Sequence, residues 1–211
     1  VIGIKVKNEP TIKYLQKVVT KQIRFATAKA LTDTAIDAQK EVLRQLPRRI
    51  NQPSNFTLRG VATRRATVQT FQALVFIRQI QAEYLQYAFI GGTRRPKGKA
   101  DLMPVPGNIR LNKYGNIPAK KGGKYIERRT AKNRRYFLGA PYKKGGQFGQ
   151  YGLWERIEKN NHLKLIIAGR QGPTHYKRRL NFDAIVAREV QRQFPGRFNR
   201  AFAKAIATAR G

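Results

Sequence analysis

Residues 11–47 read TIKYLQKVVTKQIRFATAKALTDTAIDAQKEVLRQLP, and this stretch decides the fold. Apolar residues return at Ile12, Leu15, Val19, Ile23, Ala26, Ala30, Leu31, Ala35, Ala38, Val42 and Leu46. That is a 3.6-residue period, which predicts one long amphipathic helix. Asn8-Glu9-Pro10-Thr11 starts it, because a proline in the first turn gives up an N–H that has no partner there. Pro47 is expected to end it. At 1.5 Å per residue such a helix is about 50 Å long, more than a small core covers. Its middle is rich in alanine (Ala26, Ala28, Ala30, Ala35 and Ala38), so another helix can approach closely. Part of it is expected to pack on a neighbouring subunit, with Ala26, Ala30 and Ala35 as candidate interface residues.

The rest of the chain reads outward from this helix. Residues 47–66 carry Pro47, Asn51, Pro53, Asn55 and Gly60 and predict a loop, with a short strand at Phe56–Leu58. Thr67–Phe71 and Ala73–Ile77 are β-branched and aromatic and predict strands. Gln79–Ile90 returns to helical spacing and stops at Gly91-Gly92. Further on, Gly152–Ile157 and Leu163–Ala168 flank a polar turn and predict an antiparallel hairpin, with Trp154 as a core aromatic. A final helix carries an apolar stripe of Phe182, Ile185, Val186, Val190, Phe194, Phe198, Phe202, Ala205 and Ile206, with Gly196 as a point where it kinks or divides in two.

Between these ordered parts lies residues 91–150, which hold 11 of the 18 glycines and 5 of the 10 prolines. They offer little apolar periodicity beyond a short helix at Ile126–Arg135. They also hold 16 Lys/Arg against Asp101 and Glu127 alone, a charge of +14. The segment is expected to be an extended basic arm that acts between subunits, anchored by Tyr136, Phe137, Leu138 and Tyr142. The whole chain has 44 Lys/Arg against 11 Asp/Glu, a net charge of +33 in 211 residues. Self-repulsion of that size works against a compact isolated state, and a polyanion relieves it.

Composition excludes several classes. At 41% hydrophobic the chain is too apolar for a disordered polycation. No apolar run approaches the ~20 residues that span a bilayer. Val1-Ile2-Gly3-Ile4-Lys5 is too short and too soon charged to be a secretory signal. Zero cysteines exclude a disulfide framework and cysteine-ligated zinc, and fit a reducing compartment. His162 and His175 fall in a turn and a loop and read as surface residues, and no paired-carboxylate or H-E-x-x-H spacing accompanies them. No cofactor, metal or catalytic residue is expected.

The positive signal is the basic doublets: Arg48-Arg49, Arg64-Arg65, Arg94-Arg95, Lys120-Lys121, Arg128-Arg129, Arg134-Arg135, Lys143-Lys144 and Arg178-Arg179. Several have an aromatic beside them, as in Arg134-Arg135-Tyr136-Phe137. Cation plus π-face suits a nucleic-acid surface and also an acidic protein partner. The six doublets from Arg94-Arg95 onward are the candidate contacts.

The order of elements resembles the tail-completion, or minor tail protein Z, family of long-tailed bacteriophages, and more loosely the head–tail joining proteins. The residues that carry the resemblance are the alanine-rich helix Phe25–Ala35, Glu83-Tyr84-Leu85 with Gly91-Gly92-Thr93, Leu102-Met103-Pro104-Val105-Pro106, Gly152-Leu153-Trp154-Glu155-Arg156, and Tyr176–Phe182 before the last helix. It implies a non-enzymatic virion protein of the neck or tail end, assembled as a ring or small oligomer. Its neighbours would be tail terminator, tail tube or connector proteins, and its basic surface would meet DNA. The rival reading is a ribosomal or other RNA-binding protein, although ribosomal extensions tend to be terminal and this arm is internal. The expected architecture is one α+β domain over 1–211. Long N- and C-terminal helices pack on a small antiparallel sheet, with 91–150 as an inserted basic arm.

Overall fold

The computed structural model describes residues 9–117, 125–132, 134–142, 149–157 and 162–208. The fold is α+β. Helix α1 is Glu9–Arg49, one unbroken run of 41 residues. Pro47 lies inside its last turn rather than beyond it. Only the Leu43 carbonyl forfeits an N–H there, and the chain still closes with Ile50 N–H on the Leu46 carbonyl at 2.9 Å. The remaining helices are α2 Asn55–Leu58, α3 Gln79–Phe89, α4 Tyr125–Lys132 and α5 Phe182–Ala207. The strands are β1 Val61–Arg64, β2 Leu74–Ile77, β3 Gly92–Arg94, β4 Asp101–Pro104, β5 Tyr136–Gly139, β6 Gly152–Ile157, β7 His162–Arg170 and β8 Thr174–Tyr176.

The chain divides into two compact units, one of Val1–Ile90 with Arg179–Gly211 and one of Gly91–Arg178. This corrects the reading of one domain with an arm at 91–150. The inserted segment runs on to Arg178, takes in the hairpin assigned to the main body, and has its own core. The stretch read as an arm holds β3, β4, α4 and β5.

In the first unit α5 lies antiparallel along α1. Ile185 shares a cluster with Val42 and Leu46, Arg197 meets Asp37, and Arg200, Lys204 and Thr208 line a groove with Phe25, Lys29 and Asp33. Ala26, Ala30 and Ala38 are wholly buried, as the alanine pattern predicts for close helix approach. Val42, Leu46, Val61, Leu85, Phe89, Leu180 and Ile185 form the core, each contributing about 1.5–3 kcal/mol by burial. Phe182 packs against Phe89 with ring centroids 5.6 Å apart. The antiparallel pair β1–β2 runs along α1, held by Gln39 Nε2 on the Val61 carbonyl at 2.7 Å and Ala66 N–H on Thr32 Oγ1 at 3.0 Å.

Four details of this unit differ from the sequence reading. Phe56–Leu58 is helical, because Ser54 Oγ caps the Thr57 N–H and closes a turn. Thr67–Phe71 is a turn, not a strand: Phe71 N–H bonds the Thr67 carbonyl at 3.0 Å, and Thr67 and Thr70 hydroxyls bond each other. Helix α5 runs unbroken through Pro195 and Gly196, so Gly196 does not divide it in two. Its buried residues are Ile185, Glu189 and Ala205; of the rest of the apolar stripe, Phe182 and Val186 pack partly buried against the core, while Val190 and Ile206 are exposed. Glu189 is 5% exposed, paired with Arg192 at 2.5 Å, whereas Val190 is 39% exposed. The helix stop at Gly91-Gly92 is as expected, with φ of 81° and 113°, a backbone that only glycine takes easily.

The second unit is a four-stranded antiparallel sheet in the order β4-β7-β6-β5, with β3 and β8 paired separately. The β6–β7 hairpin forms where the sequence places it. Its register shifts once: Leu153 opposes Ile167 but Trp154 opposes Leu165, leaving Ile166 as a bulge. The bulge lets two successive residues, Ile166 and Ile167, both be buried beside Leu153. Ile109, Ile117, Ile126 and Tyr136 pack over them. The carbonyls at the bulge are taken up by the following loop, Ile166 by Val105 N–H at 3.0 Å and Leu165 by Asn108 Nδ2 at 2.8 Å.

Candidate polyanion interface

Cross-strand neighbours share a face, so the register sorts the second unit's sheet into two sides. Tyr136, Glu155 and Lys164 line up on the side that holds Leu153 and Ile167, the covered side. Phe137, Trp154 and Leu165 line up on the other, with Arg156 opposite Leu163 beside them. Further along that second side run the small residues Gly139, Gly152 and Ala168, a floor in which Gly152 is buried against Leu165, and then Met103, 51% exposed. Gly152 is fixed there by space: an added Cβ would fall 2.2 Å from the Ile167 carbonyl oxygen and 2.7 Å from Leu165 Cδ1. A cavity of about 550 Å³ adjoins this floor, lined by Met103, Gln150, Tyr151, Ala168 and Arg170 among others.

Cations and aromatic rings meet on both sides. The Arg156 guanidinium sits 4.5 Å from the Phe137 ring centroid, steadied by its hydrogen bond to the Arg134 carbonyl. Trp154, expected as a core aromatic, is instead half-buried on the face opposite the core, because alternation gives the buried position to Leu153, and it donates from Nε1 to the Gln150 carbonyl at 3.1 Å. On the covered side Arg129 lies 4.8 Å from the Tyr136 ring centroid and donates to its hydroxyl. The Tyr136 hydroxyl donates a hydrogen bond to Glu155 Oε1 at 2.9 Å, and Arg135 Nε reaches the same oxygen at 2.9 Å. Burial, and then the Glu155 carboxylate, push the Tyr136 phenol above its ordinary value.

The candidate contacts fall into several kinds. Arg95, Arg134, Arg178 and Arg179 are exposed. Arg94 is half-buried and bonds Asp101 at 3.4 Å, and Arg129 and Arg135 are engaged as above. Lys120, Lys121, Lys143 and Lys144 lie outside the described residues, as does the Arg128 side chain. The interface candidates Ala26, Ala30 and Ala35 are buried within a single chain, because α5 lies along their helix; this corrects their assignment to a subunit contact. Tyr136 is likewise a core residue of the second unit, not a free anchor. Phe137 is half-buried under Arg156, and Tyr142 stands 69% exposed.

Sequence reasoning missed Arg156, which sits apart from any doublet. Alternation placed it two residues from Trp154 on one strand face, and that was the available signal. His162 and His175 are exposed, as read, although they lie in strands rather than in a turn and a loop: His162 opens β7, and His175 in β8 bonds Thr93 Oγ1 at 2.7 Å. Among the described residues no three His, Asp or Glu side chains gather as a metal site, and no helix is long and apolar enough to cross a membrane.

Six carboxylates pair with cations within the fold. Asp33 pairs with Lys29, Asp37 with Arg197, Glu41 with Arg44, Asp101 with Arg94, Glu155 with Arg135 and Glu189 with Arg192. Even one cation to every acid in the chain leaves 33 Lys/Arg without a carboxylate. No family model matches the chain, and no curated protein and no solved structure matches it.

Proposed function

We propose that this chain is a non-enzymatic structural protein of a phage neck or tail end, of the tail-completion or head–tail joining kind. It assembles as a ring or small oligomer in the virion and holds DNA, or acidic neighbouring subunits, on its basic surface. The observation that carries the reading is the charge balance: six of the 11 acids pair with cations inside the fold, and the sequence holds 33 more Lys/Arg than Asp/Glu. Such a surface binds phosphate backbones without reading sequence.

The assembly surface shifts from the middle of α1 to its start. Phe25 is level with the end of α5, so α1 runs on for a further sixteen residues, about 24 Å. The stripe that α5 covers at Ala26 and Ala30 continues there as Val19 and Ile23, 38% and 41% exposed. A second copy laid on this overhang would complete the packing. Light scattering after size exclusion, with and without random-sequence duplex, tests both parts. The expected result is an oligomer without nucleic acid, and duplex binding whose log–log salt slope steepens by about 0.9 for each phosphate neutralised. A monomer that ignores duplex at low salt overturns the proposal.

A further inference from the structure

We propose that the open face of the second unit's sheet, at Phe137, Trp154 and Arg156, is a stacking site for single-stranded nucleic acid. The inference rests on the polyanion reading above and specifies its ligand. Three observations converge on it. First, the face is open among the described residues: Ile109, Ile117 and Ile126 cover the opposite side, while Phe137, Trp154 and Leu165 remain half-buried and Met103 is 51% exposed. Second, the guanidinium of Arg156 lies on the Phe137 ring at 4.5 Å and is itself exposed, so a flat cation already occupies one stacking position. Bases stack on aromatic rings and on guanidinium planes alike, and neither is available in the interior of a paired duplex. Third, the rim is cationic. Arg134 and Arg170 are exposed beside the face, and the acid that alternation places there, Asp101, is bonded by Arg94.

An acidic protein segment would satisfy the rim cations, but it has no use for the rings of Phe137 and Trp154 beside the Arg156 guanidinium. Bases do: they stack on ring and guanidinium faces, while phosphates turn outward to the exposed Arg134 and Arg170. Recognition of this kind is tolerant of sequence, because every base has a π-face.

The chain contains one tryptophan, Trp154, so its fluorescence reports on this face alone. The experiment titrates the full-length protein with single-stranded oligo-dT, with inorganic polyphosphate of matched charge, and with random-sequence duplex. Oligo-dT is expected to quench Trp154, whereas polyphosphate binds without quenching. Arg156→Lys keeps the charge and loses the plane; it is expected to weaken oligo-dT about tenfold and leave duplex affinity unchanged. Phe137→Leu, which keeps the strand apolar, is expected to act in the same direction. Equal quenching by polyphosphate, or oligo-dT binding with no quench, overturns the stacking site while duplex binding leaves the polyanion reading standing. Failure to bind any of the three probes overturns both.

Discussion

Arg197 on α5 grips Asp37 on α1 through two parallel hydrogen bonds, Nε to Oδ2 and Nη2 to Oδ1, both 2.8 Å, across 160 positions of sequence. The carboxylate holds the guanidinium's pKa above its ordinary value. With Arg197 34% exposed, solvent screens part of the attraction, so its removal as Arg197→Ala is expected to cost about 1 kcal/mol. Arg197→Lys should restore little of it, since lysine lacks the fork. A double-mutant cycle with Asp37→Asn, read by urea unfolding, measures the coupling.

Glu41 sets an acid limit on the same helix pair. Hydrogen bonds from Arg44 and then Gln45 lower its pKa from 4.5 to about 2. A carboxyl group with a depressed folded value adds stability above its unfolded pKa and loses it as pH falls through the folded one. The contribution is therefore complete above pH 4.5 and gone below about 2. Glu41→Gln is expected to flatten the fall in stability across that window, as followed by helical circular dichroism in urea at several pH values.

Thr34 offers a stabilising change. It is 2% exposed on α1, and its hydroxyl has no hydrogen-bond partner. A buried unsatisfied hydroxyl costs about 1–3 kcal/mol, and valine has nearly the same shape. Thr34→Val is expected to raise the unfolding midpoint in urea, with the slope unchanged.

Gly152 is the sensitive point of the second unit. A methyl group there meets the Ile167 carbonyl within 2.2 Å, backbone that cannot turn aside. Gly152→Ala is expected to destabilise the sheet by about 1–3 kcal/mol. Trp154 emission would shift red at lower urea than in the unchanged protein. Helical circular dichroism, dominated by α1 and α5, would hold its midpoint.

The sequence made its long-period features plain. The α1 repeat persisted for many turns, and the β6–β7 alternation was flanked by a polar turn, so local preference and burial agreed. The second unit was harder to see. β4 and β5 are four residues each, and their burial comes from pairing with β7 and β6, which are distant in sequence. The glycines of this region looked like a sign of irregular chain, yet Gly139 and Gly152 are paired strand residues, and Gly152 is required because a Cβ there would meet the Ile167 carbonyl. Thr67–Phe71 misled in the other direction, since threonine favours strands by propensity but closes turns through its hydroxyl. At the candidate site the doublets drew the eye, whereas Arg156 became visible only once Phe137 was known to lie across from Trp154.

The β3–β8 ladder, pairing Gly92 with Tyr176 and Arg94 with Thr174, brings the two ends of an 88-residue segment side by side. Closing a floppy loop of that size would cost the surrounding chain about 3 kcal/mol more in entropy than closing a four-residue turn. With its ends zipped, the segment presents itself to the α1–α5 body as a short connection, and Ala88 can accept hydrogen bonds from both Arg179 and Leu180, at 2.8 and 3.1 Å. Length added or lost between Arg94 and Thr174 is then nearly invisible to the body that carries it. An insert built this way can be exchanged between chains, or remodelled within one, without renegotiating the helices on either side.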